Sequence, residues 1–209
     1  MSTKFDEAAF YNTLRNGKLL GPVLEPSEFA GVNAIVTAAK SANWPVSWLA
    51  YALATTYHET AHTMQPIKEI GNAKYFTRMY DPLGDRPQLS KSMGNTTPGD
   101  GIKYCGRGFV QLTWKTNYEK AGRLIGVPDL AIYPDKAMDI EIAGKILIGG
   151  MAGGWFSGKS LAHYLPKENK PATIVQFKAA RRIINGVDKD QLIADYALRF
   201  QNALVACSW

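Results

Sequence analysis

The polar and apolar residues of this 209-residue chain alternate mostly with helical period, and the chain turns on one segment. Residues 45–69 read PVSWLAYALATTYHETAHTMQPIKE. Pro45 suits the first position of a helix, where no backbone donor is needed, and the run predicts a helix that Pro66 must stop. At about a hundred degrees per residue, Trp48 and Ala52 fall within roughly twenty degrees of Glu59, and Thr55 within roughly forty. That side is turned inward, so Glu59 is expected to be partly desolvated, as a general acid requires. Glu69 follows ten residues later, beyond Pro66, where a loop offers a second carboxylate.

Around this segment the pattern predicts a short first helix over residues 4–14, carrying Phe5, Ala8, Phe10, Tyr11 and Leu14. A second is expected from Ser27 as its cap, with Phe29, Val32, Ile35, Val36 and Ala39 on the apolar face. Residues 67–104 lose the periodicity. They hold Gly71, Asp81-Pro82, Gly84, Pro87, Gly94 and Pro98-Gly99, and are expected to form a long lobe with little regular structure, bounding a substrate cleft. Residues 109–112 are expected as a short strand, with Gln111 and Thr113 on one side and Val110 and Leu112 on the other. Thr113 is expected to cap a helix running to about Ile125. Helices over about 137–153, 172–184 and 191–206 complete a mainly α chain, a helical bundle with a small β element. Its 209 residues are expected to be one catalytic domain.

Composition narrows the partners. The formal charge of +6 favours anionic ones, but the cations are spread thinly, with residues 178–182 (KAARR) the densest run, which argues against a nucleic-acid footprint. The 140–156 apolar region is interrupted by Glu141 and Lys145, so no membrane insertion is expected. The first residues lack a secretory core, so synthesis in a cytoplasm is expected, with release to the cell wall or periplasm by another agent. Cys105 and Cys207 are free thiols by default in a reducing compartment, with a disulfide between them as the alternative. Five Trp and ten Tyr are in keeping with a carbohydrate cleft.

Two motifs compete for attention. His58-Glu59-Thr60-Ala61-His62 matches the H-E-x-x-H helix of zinc proteases, but Gln65 and Lys68 stand where the longer motif needs Gly and His. Gly153 to Ser160 matches G-x-x-x-x-G-K-S, but Trp155 and Phe156 fill the loop that should curl round phosphate, and Pro166 leaves little room for the following helix. Neither metal nor nucleotide is expected.

YHETAHTMQPIKE, YCGRGFVQLTWKTNY and IINGV together resemble glycoside hydrolase family 19, the chitinase-like enzymes, and within it the short phage and prophage endolysins. The resemblance implies a lysozyme-like fold of the α+β kind and no cofactor. It implies Glu59 as general acid and Glu69 as base, with Gln111, Thr113, Asn117 and Asn185 in substrate contact; Tyr104 and His58 are further candidates. It also implies a monomer that hydrolyses the β-1,4 glycan strands of peptidoglycan with inversion, so the two carboxyl groups are expected to stand about 6.5 to 9.5 Å apart, or wider in an open unliganded cleft. Asp81 and Asp85 are the alternatives to Glu69. The chitinases' longer acid-to-base spacing and disulfides are missing, which favours the wall polymer over chitin. A chitinase and a non-catalytic glycan-binding protein remain the rival readings.

Overall fold

A computed structural model describes residues 5–17, 19–21, 23–184 and 186–209. In chain order the helices are α1 (Glu7–Asn16), α2 (Pro26–Ser41), α3 (Val46–Glu59), α4 (Ala73–Tyr80), α5 (Pro87–Ser92), α6 (Asp100–Lys103), α7 (Lys115–Ile125), α8 (Ile140–Gly153), α9 (Ile174–Ala180) and α10 (Asp190–Ala206). Two strands, β1 (Ile67–Lys68) and β2 (Arg107–Gly108), form the sheet described. Short 3-10 segments lie at Pro134–Met138, Leu161–His163 and Arg181–Ile183. The chain is thus mainly helical with one small sheet, as its patterning predicts. It divides into two compact units, Met1–Met64 with Gly150–Trp209, and Gln65–Gly149.

The first unit is built round α3, against which α10 packs most extensively, with α2 also touching it and α9 and α1 set on α10. Every residue of α3 from Leu49 to Thr56 is buried, which is why its apolar pattern has no polar stripe. The Tyr51 hydroxyl donates to the Ala180 carbonyl at 2.9 Å and its ring stacks on Phe177. Burial pushes this phenol up to about 12.

The helix boundaries differ from expectation for local reasons. Helix α2 begins one residue before Ser27: Pro26 takes its first position and Glu28 turns back to accept from the Glu25 N–H at 2.9 Å. Phe29, expected on its buried face, is 42% exposed and lies against Tyr11 instead. Helix α3 ends at Glu59, well before Pro66. There the His62 N–H donates to the Tyr57 carbonyl and the Ala61 N–H to that of His58, a Schellman closure with Ala61 in the left-handed position usually held by glycine. The buried Thr60 hydroxyl donates to the Thr56 carbonyl and accepts from the Met64 N–H at 3.0 Å, closing the turn from inside. His62 and Met64 also take positive φ. Such residues cost about 1–3 kcal/mol each and persist only where packing enforces them. Here α2 does so, because Gly31 lies directly against the Met64 backbone.

In the second unit β1 pairs antiparallel with β2, placing Ile67 opposite Gly108 and Lys68 opposite Arg107. The segment expected to be irregular contains the three short helices α4, α5 and α6. Buried polar side chains order its turns. Asp81 accepts from the N–H groups of Gly99, Gly101 and Leu83, and Asp100 from those of Thr96 and Thr97. Asn95 donates to the Tyr80 carbonyl and accepts from the Lys115 N–H. Residues 109–111 form a turn rather than a strand, because the Arg107 and Leu112 backbones exchange hydrogen bonds across it at 3.1 and 2.8 Å. The alternation survives: Val110 and Leu112 are buried, while Gln111 and Thr113 are half-buried. Helix α7 starts after Trp114, not after Thr113, whose hydroxyl donates to the Gln111 carbonyl instead.

A methyl group at Gly31 would come within 1.7 Å of the Met64 carbonyl oxygen. Gly31→Ala is therefore expected to lower stability by about 1–3 kcal/mol despite alanine's better helix propensity. Urea unfolding checks this, and an unchanged or raised midpoint would show that the turn after Glu59 yields freely.

Candidate active site

Glu59 is the last residue of α3 and its side chain is 19% exposed. On the same side of α3, Thr55 one turn back and Ala52 two turns back are fully buried, while Trp48, about three turns away, is half-buried. The neighbourhood of Glu59 also contains a charge that the patterning does not announce. Arg181, only 1% exposed, donates from Nη1 to Glu59 Oε1 at 2.8 Å and from Nε to the Asp188 carbonyl at 2.8 Å. Glu59 is partly desolvated as expected, but its partner, a buried guanidinium, was not anticipated. The signal lay in the spacing: Phe177, Ala180, Arg181 and Ile184 share a helical face, which takes Arg181 out of the surface run 178–182. Arg199, further along, donates to the Gly17 carbonyl.

His58 is half-buried beside Glu59, and burial holds its imidazole below the usual histidine range. His62 lies past the helix end and stacks on Tyr57, with ring centroids 4.3 Å apart. The two histidines therefore do not share a helical face, which removes the geometry an H-E-x-x-H site needs. Among the described residues no group of three or more His, Cys, Asp or Glu is placed to hold a metal ion. Gly154 and Gly158 turn the chain through positive φ after α8, and only the three-residue 3-10 segment Leu161–His163 follows, so the phosphate-loop motif lacks its helix.

Glu69 belongs to the second unit, directly after β1. Its N–H donates to the Gly106 carbonyl at 2.8 Å, and its carboxylate accepts three hydrogen bonds: Tyr80 at 2.7 Å and Tyr75 at 3.1 Å on Oε1, and the Gly106 N–H at 3.0 Å on Oε2. Burial first, and then the bond to Glu69, push the Tyr80 hydroxyl well above the usual phenol range, so it remains a donor. The sequence reading missed Tyr75 and Tyr80. They sit five apart on α4 with side chains only half-buried, in a stretch read as irregular. Gly106 is there because a Cβ would stand 2.8 Å from Gln111 Oε1 and 3.1 Å from Glu69 Oε2. Gln111 takes φ of 54° and donates to the Ile67 and Gly108 carbonyls; Thr113 and Asn117 continue a chain of bonds through the Gln111 and Thr113 carbonyls. Beneath them Arg107 is 3% exposed and donates to the Cys105 and Lys103 carbonyls and the Asp135 carboxylate. Tyr104 is also buried, its hydroxyl on the Ala131 carbonyl, so it underlies this surface. Asp81 is 1% exposed and engaged by backbone N–H groups, and Asp85 pairs loosely with Arg78 at 3.7 Å. Asn185 lies outside the described residues. Cys105 and Cys207 are both buried and free.

Solved structures define the class of fold. The chain is similar to chitinase C from Streptomyces griseus HUT6037, with 22% identity and a TM-score of 0.59 over 96% of this chain and 76% of that one. It is similar to a mutant chitinase C with 21% identity and a TM-score of 0.58, covering 96% and 92%. A bacterial family 19 chitinase gives 23% identity and 0.57, covering 96% and 94%. The family model described as chitinase class I matches residues 27–154, so the chain belongs to glycoside hydrolase family 19. It is therefore a glycoside hydrolase with that family's lysozyme-like fold. No curated protein matches it.

The two tyrosines on Glu69 are expected to differ in weight. Tyr80→Phe removes the short bond of the more buried phenol and should cost about 1.5–3 kcal/mol, the range for a hydrogen bond to a charged acceptor. Tyr75→Phe should cost less than half of that. Chemical unfolding of both variants checks the order, and equal losses would contradict it.

Proposed function

We propose that the protein is an endolysin that hydrolyses the β-1,4 glycan strands of bacterial peptidoglycan with inversion. In this reading Glu59 donates its proton to the glycosidic oxygen as the bond to the anomeric carbon breaks. Glu69 takes a proton from the water that adds to that carbon on the opposite face, leaving each product with a hydroxyl at its new end. Arg181 holds one oxygen of Glu59 and so fixes the direction of the carboxyl group. His58, Gln111, Thr113, Asn117 and Asn185 are assigned to substrate positioning, with Tyr104 as support.

What supports the acid–base assignment is the family's H-E-T motif at Glu59 together with how firmly each carboxylate is held. Glu69 accepts from three neutral donors, which hold both of its oxygens in place. Glu59 ends a buried helix with one cationic partner. The choice of polymer rests on the ten-residue separation of the two glutamates and on the +6 charge, which suits an anionic wall. On this reading the protein is made in the host cytoplasm and acts once released to the wall. The second reading, hydrolysis of chitin, is favoured by what the similar structures are called.

Purified peptidoglycan and colloidal chitin, assayed side by side for reducing ends, separate the two. Release from peptidoglycan with little from chitin is expected, and the reverse would make the protein a chitinase. Glu59→Gln keeps an oxygen for Arg181 but removes its anion, so the variant should fold with lowered stability, and activity is read on the folded fraction. It should lose activity by about a hundred- to ten-thousand-fold. Near wild-type hydrolysis by that variant would remove Glu59 from the mechanism.

A further inference from the structure

At the other end of α3 from Glu59, about 20 Å away along the helix axis, the first unit has a concavity of about 350 Å³. Phe5, Trp44, Pro45 and Trp209 supply its apolar wall, and Lys40, Asn43, Lys167 and Asn169 its polar edge. We propose that this pocket binds a sugar ring bearing a carboxylate-ended substituent, as a second contact with the glycan that the enzyme hydrolyses.

The wall is built rather than incidental. Helix α2 closes with the Trp44 N–H on the Ala39 carbonyl and that of Asn43 on Lys40, Asn43 taking the left-handed position at φ 50°. This brings Trp44 beside the start of α3. Trp209 donates its indole N–H to the Trp44 carbonyl at 3.0 Å and meets the Phe5 ring edge-on at 5.0 Å. Asn169 ties the same corner, accepting from the Val46 N–H at 2.8 Å and donating to the Trp209 carbonyl at 3.0 Å. The aromatic groups are therefore held in place before any ligand arrives, which lowers the entropic cost of binding.

The charge is one-sided. Among the described residues no Asp or Glu side chain lines the pocket. Lys40 lies over the Phe5 ring and pairs with Glu7, while Lys167 makes no ion pair among the described residues. The Asn43 amide likewise has no side-chain hydrogen bond among them, which leaves an amide for an acetamido or hydroxyl group. Rigid apolar faces, an unengaged amide and an unpaired ammonium suit a saccharide with an acid group better than a neutral one. The volume lies within the usual range for small-ligand sites, about 300–1,000 Å³.

The choice of this ligand rests on the proposed action on peptidoglycan, but its test does not need hydrolysis. N-acetylmuramic acid and N-acetylglucosamine share the ring and acetamido group, and only the first carries a carboxylate; neither monosaccharide contains a bond for the enzyme to cleave. Titrated into the full-length protein, N-acetylmuramic acid is expected to move the indole N–H resonances of Trp44 and Trp209. Lys167→Glu, a change at an exposed side chain, should weaken this binding by about two- to fivefold, the range for one exposed charge pair. N-acetylglucosamine should bind more weakly and be insensitive to the substitution. Equal binding of the two sugars, indifference of N-acetylmuramic acid to Lys167→Glu, or shifts confined to Trp114 and Trp155 would each overturn the assignment. A protein that binds here yet leaves peptidoglycan intact would keep the pocket and refute the proposed activity instead.

Discussion

The organisation of the first unit depends on how a carboxylate is tolerated at the end of its most buried helix. Glu59 occupies the C-terminal turn of α3, where the helix dipole is unfavourable to negative charge. Arg181 is almost fully enclosed and would be costly without an anion. Each solves the other's problem: removing one partner of a buried pair costs about 3–5 kcal/mol, with the lower end apt here because Glu59 is partly exposed. The pair also joins α3 to the 3-10 segment after α9 and, through Arg181 Nε, to the Asp188 carbonyl ahead of α10. A residue suited to chemistry is thus fixed by the same contact that closes the core around it.

The second unit reaches a fixed carboxylate by another route. In its lobe the helices α4, α5 and α6 are short, so side-chain to backbone hydrogen bonds supplement regular structure as the source of order. Asp81, Asn95 and Asp100 satisfy the turns of the lobe, and Arg107 gathers carbonyls beneath the Gly106–Leu112 corner. Glu69 is then held by two phenols and one N–H group whose own positions are already set. Gln111 and Trp114, both at positive φ, show that the corner is kept against local preference.

Much of this was legible in the sequence. The unbroken apolar run of α3, the helical periods of α2 and α10, and the H-E-T and G-R-G-x-x-Q-L-T motifs reveal the mainly α architecture and the family. Three features were hidden, each for a physical reason. Ala61 fills a left-handed position normally signalled by glycine, so the end of α3 was placed too late. Arg181 sits within a basic run whose other members, Lys178 and Arg182, are more exposed, so composition concealed one buried cation. The lobe's order comes from Asp, Asn and Gly, the residues that ordinarily signal loops, because here their side chains cap buried backbone groups. Tyr75 and Tyr80 were lost with it.

The central claim is that a water molecule activated by Glu69 displaces a leaving group protonated by Glu59 in one step. NMR observation of the first reducing sugar released from a soluble β-linked fragment tests it most directly. The account requires the α anomer to appear first, with the β anomer growing in only by mutarotation. Initial release of the β anomer would mean a covalent intermediate and a nucleophile in place of the general base, and would contradict the roles given to both glutamates.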